Sequence, residues 1–81
     1  MTLTPEQCRA ARGWLDWSQE NLANAAHVSL STVRDFEKAR RTPIANNLTA
    51  IRTALETAGI ELVFAEDVAT GILRSSKIAD K

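Results

Sequence analysis

Cysteine occurs once in this 81-residue chain, at Cys8, so no internal disulfide can form and nothing points to an oxidising compartment. Its neighbours Glu6, Gln7 and Arg9 supply neither a base nor a second thiol, so plain packing is its expected role. Histidine also occurs once. There is no glycine-rich phosphate loop and no acidic cluster at metal-ligand spacing, so neither catalysis, a cofactor nor a metal is expected. No apolar run approaches the roughly 20 residues of a membrane span, and no basic-then-apolar leader opens the chain. A cytoplasmic protein with no membrane partner is the expectation. Net charge is lacking too: ten basic side chains balance ten acidic ones.

What is present is an ordinary globular composition, 44% hydrophobic and 25% charged. A chain this short buries only about 60% of the surface its unfolded form exposes. It therefore gains from pairing with a copy of itself or with another partner. The zero net charge conceals an uneven distribution. Residues 29–53 hold Arg34, Lys38, Arg40, Arg41 and Arg52 against Asp35 and Glu37, whereas residues 54–81 carry an acidic excess. A basic middle beside an acidic tail implies one positively charged face.

Start and stop signals divide the chain. Thr4-Pro5-Glu6-Gln7 reads as a capping box with proline at the first helical position, opening a helix from Pro5 to about Leu15. Ser18 opens a short second helix ending near Ala26, with Leu22 facing inward. His27-Val28-Ser29 makes a tight turn, and Ser29 caps a third helix that buries Val33, Phe36 and Ala39. Asn46 or Asn47 is expected to cap a fourth helix, carrying Leu48, Ile51 and Leu55 and closed by Gly59 in the left-handed conformation. Ile60–Phe64 reads as a strand. Ala65-Glu66-Asp67 turns the chain, and Val68–Ser75 is either a second strand or a short helix. Ser76–Lys81 is expected to fray. Trp14, Leu15 and Trp17 are assigned to the core rather than to base stacking. A lone strand or hairpin is marginal in water, so the open edge of Ile60–Phe64 is the expected site of pairing between two copies, with Ile60, Leu62, Val63 and Phe64 as the dimerisation residues.

Two short helices joined by a tight turn, the second one polar, form the geometry that presents a helix to the DNA major groove. The stretch Trp17-Ser18-Gln19-Glu20-Asn21-Leu22-Ala23, then Val28 to Glu37, then Arg40-Arg41-Thr42-Pro43, resembles the phage-repressor helix-turn-helix family (Cro/C1-like, or XRE). The resemblance spans about Thr4 to Gly59. It implies a mainly α fold, a four-helix lambda-repressor-like domain over residues 1–59, and leaves 60–81 as a C-terminal strand or hairpin extension for dimerisation. It implies base readout by Leu30, Ser31, Thr32 and Asp35, with Arg34 close enough to reach a base or the backbone. It implies that Gln19 bonds a phosphate and braces the recognition helix, and places Lys38, Arg40 and Arg41 along the sugar-phosphate backbone. Arg12 and Glu37 match a pair that joins the first and third helices in some members. Two departures stand out: the family's turn commonly has glycine where this chain has His27, and many members have glycine at Ala39, where alanine would extend the third helix slightly.

The chemistry of these side chains fits such roles. An arginine fork takes guanine O6 and N7 together, hydroxyls serve several partners, and a leucine or threonine methyl packs on thymine. Asp35 either accepts from cytosine N4 or orients Arg34. The reading is a sequence-specific regulator, in its simplest form a repressor. It binds double-stranded DNA as a homodimer, and a second regulatory protein is the further partner to consider. The competing reading is a protein-interaction module of the same fold, an antitoxin or antiactivator, using Leu62, Phe64, Ile72 and Leu73 against its partner.

Overall fold

The structure, a computed structural model, describes residues 2–74; the expected fraying of Ser76–Lys81 lies outside the described residues. Four helices precede a two-stranded antiparallel hairpin: α1 (Pro5–Leu15), α2 (Gln19–Ala26), α3 (Leu30–Glu37), α4 (Ala45–Thr57), β1 (Ile60–Ala65) and β2 (Val68–Arg74). The open alternative for the segment after the turn is thus resolved as a strand.

Helices of eight residues have little stability of their own, so their ends carry much of the local specification. Thr4 and Gln7 close the capping box of α1 from both sides. Ser18 and Asn21 do the same for α2, with an asparagine standing where glutamate or glutamine is usual. Ser29 accepts from the Thr32 N–H to start α3. The fourth helix departs from expectation. It begins at Ala45 behind Ile44, which makes no side-chain cap, and neither Asn46 nor Asn47 caps it. Pro43 explains the early start, because its preset φ brings the chain in an extended path to the first turn.

Three non-glycine residues end helices or follow them in the left-handed region: Asp16, His27 and Ala39, with φ of 58°, 58° and 59°. His27 is the tolerated turn residue expected between α2 and α3. Ala39 corrects two expectations. It neither extends α3, which stops at Glu37, nor lies on the buried face; it is exposed. The chain reverses there because the Asp35 carbonyl accepts from the Arg40 N–H at 2.8 Å, leaving no helical path onward. Gly59, at φ 104°, turns α4 into β1.

The core joins Cys8 and Ala11 of α1, Leu22, Ala23 and Ala26 of α2, Val33 and Phe36 of α3, and Ile51, Ala54 and Leu55 of α4. Leu3 from the N-terminal arm joins them, and Leu15, Trp17 and Leu48 pack around the margin half-buried. Trp14 was expected inside and is 64% exposed. It lies at the edge of α1's buried stripe, in the last turn, where no described element covers it.

The hairpin shares this core. Ile60 and Leu62 are buried in it, with Phe64 and Ile72 against it. Of the four side chains proposed for a protein partner, only Leu73 is left exposed. Gln7 pins the hairpin to α1 by donating from Nε2 to the carbonyls of Val63 and Gly71, each at 3.1 Å. Pairing of Ala65 with Val68 leaves Glu66 and Asp67 as a two-residue turn, both at positive φ, and a bulge interrupts the ladder between Val63 and Phe64.

Alanine gains nothing from the left-handed region, where it carries about 1–2 kcal/mol of strain. Ala39→Gly relieves that strain against about 0.4–1 kcal/mol of added unfolded-state entropy. Thermal denaturation should show the variant melting a few degrees higher; a lower melting temperature would contradict the assigned backbone at Ala39.

Candidate nucleic-acid interface

The second and third helices form a helix-turn-helix whose outer member is α3. Along α3, Val33, Phe36 and Glu37 face inward. Helical spacing then sends Ser31, Arg34, Asp35 and Lys38 to the opposite side, with Leu30 and Thr32 on the two flanks. Exposure follows this geometry: Ser31, Arg34 and Lys38 are exposed, and Leu30, Thr32 and Asp35 are half-buried.

Past the end of α3, Arg40 and Arg41 are exposed on the reversed chain. Thr32, Asp35, Arg41, Thr42, Pro43, Ile44 and Asn47 line a shallow groove of about 200 Å³ between α3 and the start of α4. Thr42, Asn47 and the 70%-exposed Ile44 thus adjoin the outward side of α3, which sequence reasoning did not foresee. Among the described residues, no carboxylate forms an ion pair with Arg34, Lys38, Arg40 or Arg41. Their charge is available to an outside anion.

Behind this face lies the most constrained part of the molecule. The Glu37 carboxylate, its side chain 2% exposed, receives Arg12 Nε and an Arg12 terminal nitrogen, both at 2.7 Å. Gln19 Nε2 donates to it at 3.0 Å and the Cys8 thiol at 3.1 Å. Arg12 also donates to the Trp17 carbonyl at 2.9 Å, and Arg9 donates to the Glu37 carbonyl. One carboxylate therefore ties α3 to α1 and α2. The ion pair implied by the resemblance is in place, whereas the participation of Cys8 was not foreseen. Gln19, the residue implied for phosphate contact, is half-buried with its amide nitrogen engaged on Glu37.

Burial is the largest influence on the Glu37 carboxyl and pushes its pKa up. The hydrogen bonds from Arg12, Gln19 and Cys8, with the Arg12 charge, outweigh it and hold the group below the usual glutamate range. Burial, then the hydrogen bond to Glu37 and its charge, push the Cys8 thiol far up, so it stays a neutral donor. Among the described residues, no buried side-chain nitrogen or oxygen lacks a partner.

A depressed folded-state pKa means that stability from Glu37 is complete above the unfolded value, about 4.3. It is lost as pH falls towards the lower folded-state value. Glu37→Gln should cost about 3 kcal/mol by stranding Arg12, and should flatten the acid limb of stability. Replacing both partners, Arg12→Met with Glu37→Met, should cost less than that single change. Urea titrations between pH 3 and 7, roughly spanning the window, check both points; an unchanged acid limb in Glu37→Gln contradicts them.

No metal-ligating group of three or more residues occurs among the described residues, and no described helix is long and apolar enough to cross a membrane. Among curated proteins no match to this chain is found. A family model described as Helix-turn-helix matches residues 9–62, which runs from within α1 into β1 and takes in the whole of α2, α3 and α4. The capped helix pair, the Glu37 clamp and this match converge: the chain belongs to the Cro/C1-type (XRE) helix-turn-helix family and is a DNA-binding transcription regulator.

Proposed function

We propose that this regulator binds an inverted-repeat operator as a homodimer and represses by occupying a promoter. The observation that carries the reading is the outward face of α3. Four exposed cations on and just beyond one short helix, none of them ion-paired among the described residues, suit a polyanion. In this reading Leu30, Ser31, Thr32, Arg34 and Asp35 meet base edges, and Lys38, Arg40 and Arg41 follow the backbone. Gln19 Nε2 spends one N–H on Glu37 and keeps a second, so one amide can brace α3 and still donate to a phosphate.

The dimer reading changes with the structure in hand. Ile60 and Leu62 point into their own subunit, so they support an interface by holding the hairpin in place. The edge of β1 away from β2 pairs with no strand among the described residues. On the outer face of the hairpin, Val63 is half-buried and Leu73 is 56% exposed. Pairing across this edge would set two α3 helices against successive major grooves, about 34 Å apart.

Binding titrations at two salt concentrations distinguish the roles. Arg34→Ala should cost about 1–3 kcal/mol and relax selectivity at one base pair. Arg41→Ala should weaken all sequences alike and lower the log–log salt slope by about one. Wild-type binding by both variants would remove α3 from the interface. In sedimentation, Val63→Lys should shift a dimer towards monomer with the helical fold kept; an unshifted dimer would place the interface elsewhere.

A further inference from the structure

Three hydroxyls meet at the start of α3. Ser29 Oγ accepts from the Thr32 N–H at 3.1 Å, lies 3.1 Å from Ser31 Oγ and 2.8 Å from Thr32 Oγ1. Ser29 is the N-terminal cap of α3. Its place between two residues of the reading face gives it a second task, which follows from counting protons.

A serine hydroxyl has one proton to give and two lone pairs to receive with. The Thr32 amide takes one lone pair of Ser29. One lone pair and one proton remain for two hydroxyl neighbours. One neighbour must therefore donate into Ser29 while the other accepts from it. The neighbour that donates inward has spent its proton and shows only lone pairs to the outside. The neighbour that accepts keeps its own O–H free to point outward. We infer that Ser29 is a positioning residue for base readout, coupling Ser31 and Thr32 so that only one of them at a time presents a hydrogen-bond donor to the groove.

The inference rests on the reading above that Ser31 and Thr32 face base edges. Its consequence is a rule about pairs of bases. Guanine O6 and N7, adenine N7 and thymine O4 are acceptors; adenine N6 and cytosine N4 are donors. An acceptor opposite Ser31 with a donor opposite Thr32 is satisfied, as is the reverse. Two donors are also satisfied, because each hydroxyl retains a free lone pair. Two acceptors are not, since the second finds no proton unless the Ser29 contact breaks. The base preferences of the two positions are therefore not independent, whereas separated contacts ordinarily add.

The test begins with an operator selected by the wild-type protein from randomised duplex DNA. Ser31→Ala and Thr32→Ala locate the base pairs that each hydroxyl reads. All sixteen combinations at those two positions, roughly the smallest complete set for one coupled pair, are then measured in binding titrations. Wild type should bind the two-acceptor combination about three- to tenfold more weakly than the product of the single changes, the factor for one lost neutral hydrogen bond. Ser29→Gly removes the hydroxyl but remains an acceptable helix cap, and should make the two positions additive. Ser29→Thr keeps the hydroxyl and should keep the coupling. Circular dichroism and thermal melting confirm that both variants fold.

Additive wild-type behaviour overturns the inference, and so does coupling that survives in Ser29→Gly. Should Ser31→Ala and Thr32→Ala both leave base selectivity unaltered, the assignment of these residues to the base edge fails, and the inference with it. That outcome is distinguishable from additive binding by two residues that do read bases.

Discussion

A single buried carboxylate organises the helix-turn-helix. Glu37 sits at the last turn of α3 with its side chain almost wholly out of water, and all its acceptor capacity is directed at Arg12, Gln19 and Cys8. Moving a carboxylate and a guanidinium into such a place costs several kcal/mol per ion before any attraction is counted. The pair is thus a poor source of stability but a strict condition on geometry. Only one placement of α3 against α1 and α2 satisfies every donor and acceptor. Any rotation of α3 would strand a charge, and the same rotation would swing Arg34 and Ser31 off their common face.

Short helices make that condition necessary. Eight residues form barely two turns, and the apolar contribution of α3 to the core is Val33 and Phe36. Packing of two side chains leaves a short rod free to rock, whereas a charge clamp at one end and a hydroxyl-capped first turn at the other hold both ends. The left-handed residues Asp16, His27 and Ala39 complete the arrangement by ending each helix sharply. They let three helices share one core within so short a chain. Aspartate and histidine tolerate that backbone better than most side chains, while alanine is retained at a cost.

The neutral overall charge and the cationic face are compatible because the acidic residues are segregated. Glu56 is engaged by Arg52 on α4, Glu61, Glu66 and Asp67 lie on the hairpin, and Glu37 is consumed internally. Asp35 is the one carboxylate left on the outward side of α3. It lines the groove next to α4 together with Arg41.

The order and ends of the elements were legible in the sequence because local rules govern them. Thr4, Ser18 and Ser29 each accept from an amide three residues on, and proline, glycine and apolar spacing do the rest. The outward side of α3 was legible for the same reason, since the inward positions of one helix define its outward ones. Asn46 and Asn47 misled because a cap residue is a local preference that the approach of Pro43 and Ile44 overrides. Trp14 misled because hydrophobicity does not specify what lies beyond the end of a helix. Ile60 and Leu62 look from sequence like an edge awaiting a partner, but it is the docking of the hairpin on α1 and α4 that buries them. Tertiary structure alone could bring Cys8 to Glu37 across 29 positions, or Gln7 to the hairpin across 56 and 64. Periodicity records which way a side chain faces along its own axis; what waits there depends on how the axes are stacked, and that is settled by the whole core at once.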